Sequence, residues 1–323
     1  SCETTCPSGM QYGELVDIGR GLMEQAAPRP LGSRILRWLL RFILCRPRLL
    51  ASGLVVAQAL RPLLPAHLRQ TVPLRQIQKA LPEQQHARKM LILEGCVQGA
   101  ATPNTNGAAR RVLDRLGISL IGAPKAGCCG AVNYHLAAHT DGLNNMRRNI
   151  DAWWPHLQNG AEAIISSASG CGAMLMDYGR LLADDPHYAD KAKRVSQLSR
   201  DIGEILMEED LTTLTIDTQV GKVAVHSPCT LQHALQQPDL IATLLGRAGF
   251  EIAITTEKLL CCGSAGTYSI LQSTISEKLR AKTLHALEHD QPAVIATANV
   301  GCQLHLQAAA GVPVVHWIEL LDA

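Results

Sequence analysis

Aromatic residues make up only 3% of this 323-residue chain, which removes most stacking-based recognition. Charge of either sign is not in excess. Thirty Lys and Arg against 28 Asp and Glu leave a net +2, without the basic patch that marks a nucleic-acid binder. No apolar run is long enough to span a bilayer; Leu49 to Leu60 is broken by Ser52, Gly53 and Gln58. The opening Ser1-Cys2-Glu3-Thr4-Thr5-Cys6 has neither the basic start nor the apolar core of an export signal. A P-loop, a dinucleotide fingerprint and a G-x-S-x-G elbow are all missing, so phosphate-cradling and hydrolase chemistry have no support. There is also no C-x2-C, which takes away the paired knuckles of a structural zinc site.

Cysteine, by contrast, is plentiful, with 11 residues. Many cysteines without an export signal point to metal or redox chemistry rather than a disulfide scaffold. Eight of them form one pattern written twice. Cys96, Cys128-Cys129-Gly130 and Cys171 are followed by Cys229, Cys261-Cys262-Gly263 and Cys302. The lone cysteine and the pair are separated by 31 residues in both copies, and matching cysteines lie 133, 133 and 131 positions apart. That agreement is the mark of an internal duplication.

Each cysteine group follows a short apolar run by a few residues. In the first copy, Met90–Leu93 leads to Cys96, Ser119–Ile121 to the pair, and Ala163–Ser166 to Cys171. Helical segments, Thr105 to Gly117 and Leu143 to Leu157, lie between the runs. The grammar returns in the second copy with Lys222–Val225, Glu251–Ile254 and Ala293–Ala296, with helices at Leu240 to Gly249 and Thr274 to Leu287, and Pro313–Trp317 as a last strand. Tyr188 to Glu209 is expected to be a helix bridging the copies. Alternating strands and helices predict parallel sheets with right-handed crossovers, and such sheets build their sites beyond the carboxyl ends of the strands. Cysteines far apart in sequence then meet at one edge. Four converging thiolates repel one another unless a cation binds them, and adjacent cysteines suit neighbouring metal atoms better than one ion. An iron–sulfur cluster is the expected occupant; zinc and inert packing are the alternatives. Glycines beside the cysteines let backbone N–H groups approach the sulfurs. His135, His226 and His305 lie near the cysteines and are expected to be hydrogen-bonding neighbours, with His305 the one at ligand spacing, Cys302-x2-His305.

Upstream, Tyr12 to Gln25 reads as a helix. Residues 31–82 shift to Arg, Leu and Pro, with prolines at 47, 62, 65, 73 and 82 dividing short helices. Arg34, Arg37 and Arg41 share one helical face, so these helices are expected either to lie on an anionic membrane surface or to dock on a partner. Cys45 stands alone here and is expected to be a small buried apolar residue. Cys2-x3-Cys6-Pro7 looks like the end of the bacterial ferredoxin run, which predicts the tail of a longer ferredoxin-like domain.

The repeated pattern resembles the cysteine-rich CCG domains of the heterodisulfide reductase B-subunit superfamily, and within it the iron–sulfur subunits of glycolate oxidases. The residues carrying this are Asn-Thr-Asn at 104–106, Gly-Cys-Cys-Gly-Ala-Val at 127–132, Asp-Ala-Trp-Trp-Pro at 151–155 and Ala-Ser-Gly-Cys-Gly-Ala at 168–173. Leu-Cys-Cys-Gly-Ser-Ala-Gly-Thr-Tyr at 260–268, His-Trp-Ile-Glu at 316–319 and the opening Cys-Glu-Thr-Thr-Cys-Pro-Ser-Gly at 2–9 add to it. The superfamily pattern often closes each repeat with C-x2-C; here the last positions are Met174 and His305, and Ser227 stands where relatives often carry a further cysteine.

The resemblance implies an α/β protein of two tandem pseudo-symmetric parallel-sheet CCG domains, preceded by a helical segment and the tail of a ferredoxin-like domain. The divisions are 1–27, 28–88, 89–215 and 216–323. It implies 4Fe–4S clusters on Cys96, Cys128, Cys129 and Cys171, and on Cys229, Cys261, Cys262 and Cys302, with Cys2 and Cys6 as further metal ligands. No residue of this chain is expected to be catalytic. FAD and glycolate oxidation are expected on partner subunits, and electrons are expected to pass towards a membrane acceptor from a cytoplasmic protein lying peripherally on the inner membrane. A subunit serving lactate or glycerol-3-phosphate oxidation, a thiol–disulfide enzyme and a metal-free scaffold are the alternatives.

Overall fold

The computed structural model describes residues 3, 6–27, 29–257 and 260–322. Seven strands form two parallel sheets. Strands β1 (Arg88–Ile92), β2 (Ile118–Gly122), β3 (Ile164–Ser166) and β4 (Ser199–Asp201) are arranged β2-β1-β3-β4. Strands β5 (Val223–His226), β6 (Val294–Thr297) and β7 (Val314–His316) run in the order β5-β6-β7, and a parallel bridge joins Val223 to Ile252 on the outer side of β5. With Ile252 in the place of β2, the second sheet repeats the order of the first. The duplication written in the cysteines is therefore a duplication of topology.

Alternation along the strands explains why they read as unbroken apolar runs. In β1, Met90 and Ile92 face a core shared by the two halves, where they join Val112, Ile205, Val223, Leu240 and Trp317. Leu91 and Leu93 face the opposite side, onto Met146, Ile150, Trp153 and Leu175. In the second half, Val294 and Ala296 enter the shared core, while Ala224, Ile295 and Val314 face a smaller cluster with Leu284, Leu287 and Leu306. Parallel sheets covered on both faces bury every residue of a strand, which erases the polar alternation of a half-exposed one.

Two expectations are corrected here. The segment expected as one helix from Tyr188 to Glu209 is a helix at Ala189–Leu198, then β4, then a second helix at Ile202–Glu208. Asp201 caps that second helix, accepting from the Gly203 N–H while Glu204 reaches back to the Asp201 N–H, a reciprocal cap that restarts the helix after the strand. The strand expected at Glu251–Ile254 is reduced to the single bridge at Ile252.

The amino-terminal helices at Tyr12–Ala26, Leu31–Leu44 and Pro47–Leu60 bury no side chain completely. Two of the three arginines on the shared face, Arg37 and Arg41, are half-buried, and Arg41 approaches Asp141 at 3.9 Å. Leu31, Ile35, Trp38, Leu39 and Phe42 remain exposed, so the outer face is chiefly apolar rather than basic. Among the described residues no helix is long and apolar enough to cross a membrane.

Candidate metal centres

In each half the cysteine loops leave the carboxyl ends of neighbouring parallel strands and converge. Cys96 follows β1, Cys128-Cys129 follows β2, and Cys171 lies in the helix Ser169–Met176 after β3. Cys128 is the hub of the first group. Its sulfur is hydrogen-bonded with Cys129, Cys45 and Cys96, and these contacts hold its thiol well below the ordinary value despite complete burial. Cys129 touches both Cys128 and Cys171, and these contacts with burial push its thiol up. In the second half the hub is Cys261, lowered by hydrogen bonds from Cys229 and Cys262. Cys229 lies 3.7 Å from Cys261, and Cys262 lies 3.1 Å from Cys302, sulfur to sulfur. In each half the hub thiol is thus favoured as the thiolate over the thiols that bond to it, because adjacent thiolates repel.

The glycine after each pair explains part of the motif. Gly130 and Gly263 both have left-handed backbones, with φ of +98° and +86°. A Cβ on Gly130 would stand 2.8 Å from the Gly142 carbonyl oxygen, and one on Gly263 would stand 2.4 Å from the Ser276 carbonyl oxygen. These oxygens belong to the helices His139–Gln158 and Ser273–Leu287. Each Cys-Cys turn is therefore pressed against a helix at a point where only glycine fits.

Buried polar groups then fix the turns. In the first half the amide of fully buried Asn149 donates to the Cys128 carbonyl at 3.0 Å and accepts from the Gly127 N–H at 2.9 Å. The Tyr178 hydroxyl donates to the Cys129 carbonyl at 2.7 Å. In the second half Thr283 donates to the Cys261 carbonyl and Ser276 to the Gly263 carbonyl, at 3.0 and 2.7 Å. The Cys96 loop is held by Asn106, whose amide donates to the Glu94 carbonyl at 2.9 Å and accepts from Ser167 at 2.8 Å. Thr105 donates to Glu319 at 2.7 Å, which links the Asn-Thr-Asn motif to the His-Trp-Ile-Glu motif 214 residues away.

Donors also point at the sulfurs themselves. The Gly263 N–H reaches Cys261 Sγ at 3.4 Å, the Ser264 N–H reaches Cys262 Sγ at 3.5 Å, and Asn299 Nδ2 reaches Cys302 Sγ at 3.6 Å. Asn299 Oδ1 meanwhile accepts from the Gly170 N–H beside Cys171, at 3.4 Å. The Asn299 side chain therefore touches the loops of both halves.

One residue is placed other than expected. Cys45 is not an isolated packing residue: its sulfur lies 3.8 Å from Cys128 Sγ. His305, the histidine at ligand spacing, bonds Ser276 through Nε2 at 3.0 Å. His226 instead sits with Cys262 and Cys302, their ligand atoms within 4.8 Å of one another. Burial lowers it to about 4, Nδ1 bonds Thr297 at 2.9 Å, and Nε2 is buried without a partner. His135 pairs with Asp17 at 3.0 Å. Of the amino-terminal cysteines, Cys6 meets the Ser8 hydroxyl at 3.0 Å, and Cys2 lies outside the described residues. Asn106, Asn149, Tyr178 and Asn299 were not signalled by spacing; only the Asn-Thr-Asn motif drew attention to one of them.

The donor sets fit a thiophilic metal centre. The sulfurs are buried or half-buried and in mutual contact, N–H groups are aimed at them, and one imidazole nitrogen beside them has no hydrogen bond. The arrangement defines a class: a tandem protein in which each α/β half gathers cysteine loops at one sheet edge. The sequence pattern of the Cysteine-rich domain family (CCG) matches residues 90–176 and 223–307, and the chain belongs to that family. It is 48% identical over 323 residues to the glycolate oxidase iron-sulfur subunit of Escherichia coli (strain K12), covering 100% of this chain and 79% of that protein. It is also 27% identical over 245 residues to lactate utilization protein A of Bacillus licheniformis, covering 73% of this chain and 99% of that protein.

Proposed function

We propose that this chain is the iron–sulfur electron-transfer subunit of a glycolate dehydrogenase complex, taking electrons from flavin subunits that oxidise glycolate to glyoxylate and passing them towards a membrane acceptor. The observation that carries the reading is the pair of converging thiol groups in a chain similar along its whole length to a glycolate oxidase iron-sulfur subunit. Cys96, Cys128, Cys129 and Cys171 would hold one cluster, and Cys229, Cys261, Cys262 and Cys302 the other. When bound there, an iron–sulfur cluster supplies a one-electron carrier.

The chain's own residues do the rest. Asn149, Tyr178, Thr283 and Ser276 fix the Cys-Cys turns by their carbonyls. The N–H groups of Gly263, Ser264 and Asn299 face the sulfurs and favour their anionic form. No residue here is assigned to the glycolate C–H bond, which belongs to a flavin on a partner subunit. In this reading residues 1–27 are a ferredoxin-type segment with Cys2 and Cys6 as metal ligands, 28–88 a helical linker, and 89–215 and 216–323 the two cysteine-rich domains. The apolar outer face of the helix Leu31–Leu44, with Trp38 and Phe42 exposed, supports a peripheral membrane contact.

The test is anaerobic purification with the partner subunits, iron and acid-labile sulfide analysis, and EPR after adding glycolate. Iron above background and a signal that develops with glycolate support the proposal. A metal-free protein, or a signal that answers only to lactate, overturns it; the similarity to lactate utilization protein A makes lactate the comparison substrate.

A further inference from the structure

The first half gathers five sulfurs, and one of them comes from outside the repeat. Cys45 ends the helix Leu31–Leu44, its N–H still bonded to the Arg41 carbonyl at 3.2 Å, and the next helix begins at Pro47. The tight corner between two helices is thus the point at which the amino-terminal segment reaches the thiol group. There the Cys45 sulfur lies 3.8 Å from Cys128 Sγ, and Cys128 is in turn the sulfur to which Cys96 and Cys129 bond. The contact spans 83 residues of sequence.

We propose that Cys45 is an iron ligand of the first-half centre, supplied by the helical segment in addition to Cys96, Cys128, Cys129 and Cys171. A cysteine used only for packing would be surrounded by apolar side chains. This one is half-buried and set against the hub sulfur, 3.8 Å from Cys128 Sγ. On ligation the thiol proton leaves to solvent and an iron–sulfur bond forms, with no change of oxidation state. The two halves are then unequal: the first has five sulfur donors from two segments, and the second has four sulfurs with His226 beside them. Loading the first centre also fastens the segment containing residues 31–60 to the first domain.

The inference rests on the proposal that the first half binds a cluster, and one set of samples separates the two. Full-length wild type, Cys45→Ser, Cys128→Ser and Cys261→Ser are purified anaerobically and compared by iron and sulfide content and EPR. Cys128→Ser and Cys261→Ser identify the signals of the first and second halves. Cys45→Ser is expected to change the g-values or the intensity of the first-half signal and to leave the second-half signal intact, which also shows that the variant folds. A Cys45→Ser spectrum and iron content equal to wild type overturn the inference while the cluster reading stands. A wild type without iron overturns both.

Should Cys45→Ser lose both signals, the wild type decides. Alkylation of Cys45 by iodoacetamide, followed by mass spectrometry, is expected to be at least about tenfold slower in the loaded protein than in the same protein after chelator removes its iron. Equal rates overturn the assignment.

Discussion

Replacing Gly263 with alanine tests whether the glycine of the Cys-Cys-Gly turn is required by its backbone and by its neighbour. Two costs add. At φ +86° an L-residue pays about 1–2 kcal/mol for the left-handed conformation. The new Cβ would stand 2.4 Å from the Ser276 carbonyl oxygen and 3.0 Å from Leu279 Cβ, so the helix Ser273–Leu287 must move, which costs about 1–3 kcal/mol as overpacking does elsewhere. The sum is about 2–5 kcal/mol. Gly160 supplies the reference, because it has φ +85° with nothing within 4 Å of its Cβ position, so Gly160→Ala meets the conformational cost alone. Urea unfolding of the two variants, with iron content as a second readout, separates the contributions. Gly263→Ala should lie about 1–3 kcal/mol below Gly160→Ala and should lose iron, because the displaced helix carries Ser276 and Thr283, which hold the Gly263 and Cys261 carbonyls. Equal midpoints for the two variants would refute the argument that the helix backbone is what excludes a side chain.

Other expectations follow from the same contacts. Cys128→Ser and Cys261→Ser should each remove cluster absorbance from one half only; loss of both signals from one substitution would mean that the halves share a centre. Asn299→Ala removes the N–H donor at Cys302, and the loss of about 1 kcal/mol of hydrogen bonding to the reduced centre should lower the second-half potential by about 40 mV, read by redox titration with EPR. An unchanged potential would remove Asn299 from this role. His316 is fully buried, with Nε2 donating to the Ser167 carbonyl at 2.7 Å and Nδ1 accepting from the Ile318 N–H at 3.2 Å. Burial lowers it to about 4, so the unfolded chain binds its proton first. Stability contributed by the neutral ring is nearly complete above about pH 7.5 and is lost as pH falls through about 6.5 towards 4, by about 1.4 kcal/mol at pH 5.5. His316→Asn should flatten the pH dependence of the urea midpoint between pH 7.5 and 5.5, and an unchanged slope would count against the linkage.

The helices of the amino-terminal segment, the βα alternation and the duplication are all local or periodic signals, and they are legible in the chain as written. Pro47 separates two helices as its ring dictates, and Met90–Leu93 and Ala293–Ala296 read as buried strands because both faces of their sheets are covered. The strand Ser199–Asp201 was hidden because its three residues carry no apolar period; pairing with Ile164–Ser166 makes it a strand. Likewise Glu251–Ile254 has a strand's composition, yet only Ile252 pairs.

The sequence by itself determined which cysteines are equivalent and that the loops of each half leave one sheet edge, because parallel strands joined by right-handed crossovers all end on the same side. Only the tertiary structure decided what stands beside those sulfurs. Cys45 at 83 residues from Cys128, Asn299 at 129 from Gly170, and an unpaired His226 nitrogen where His305 had the better spacing are placed by packing between elements. A contact of that kind leaves no period in the chain, since either partner keeps its local conformation whether or not the other is there.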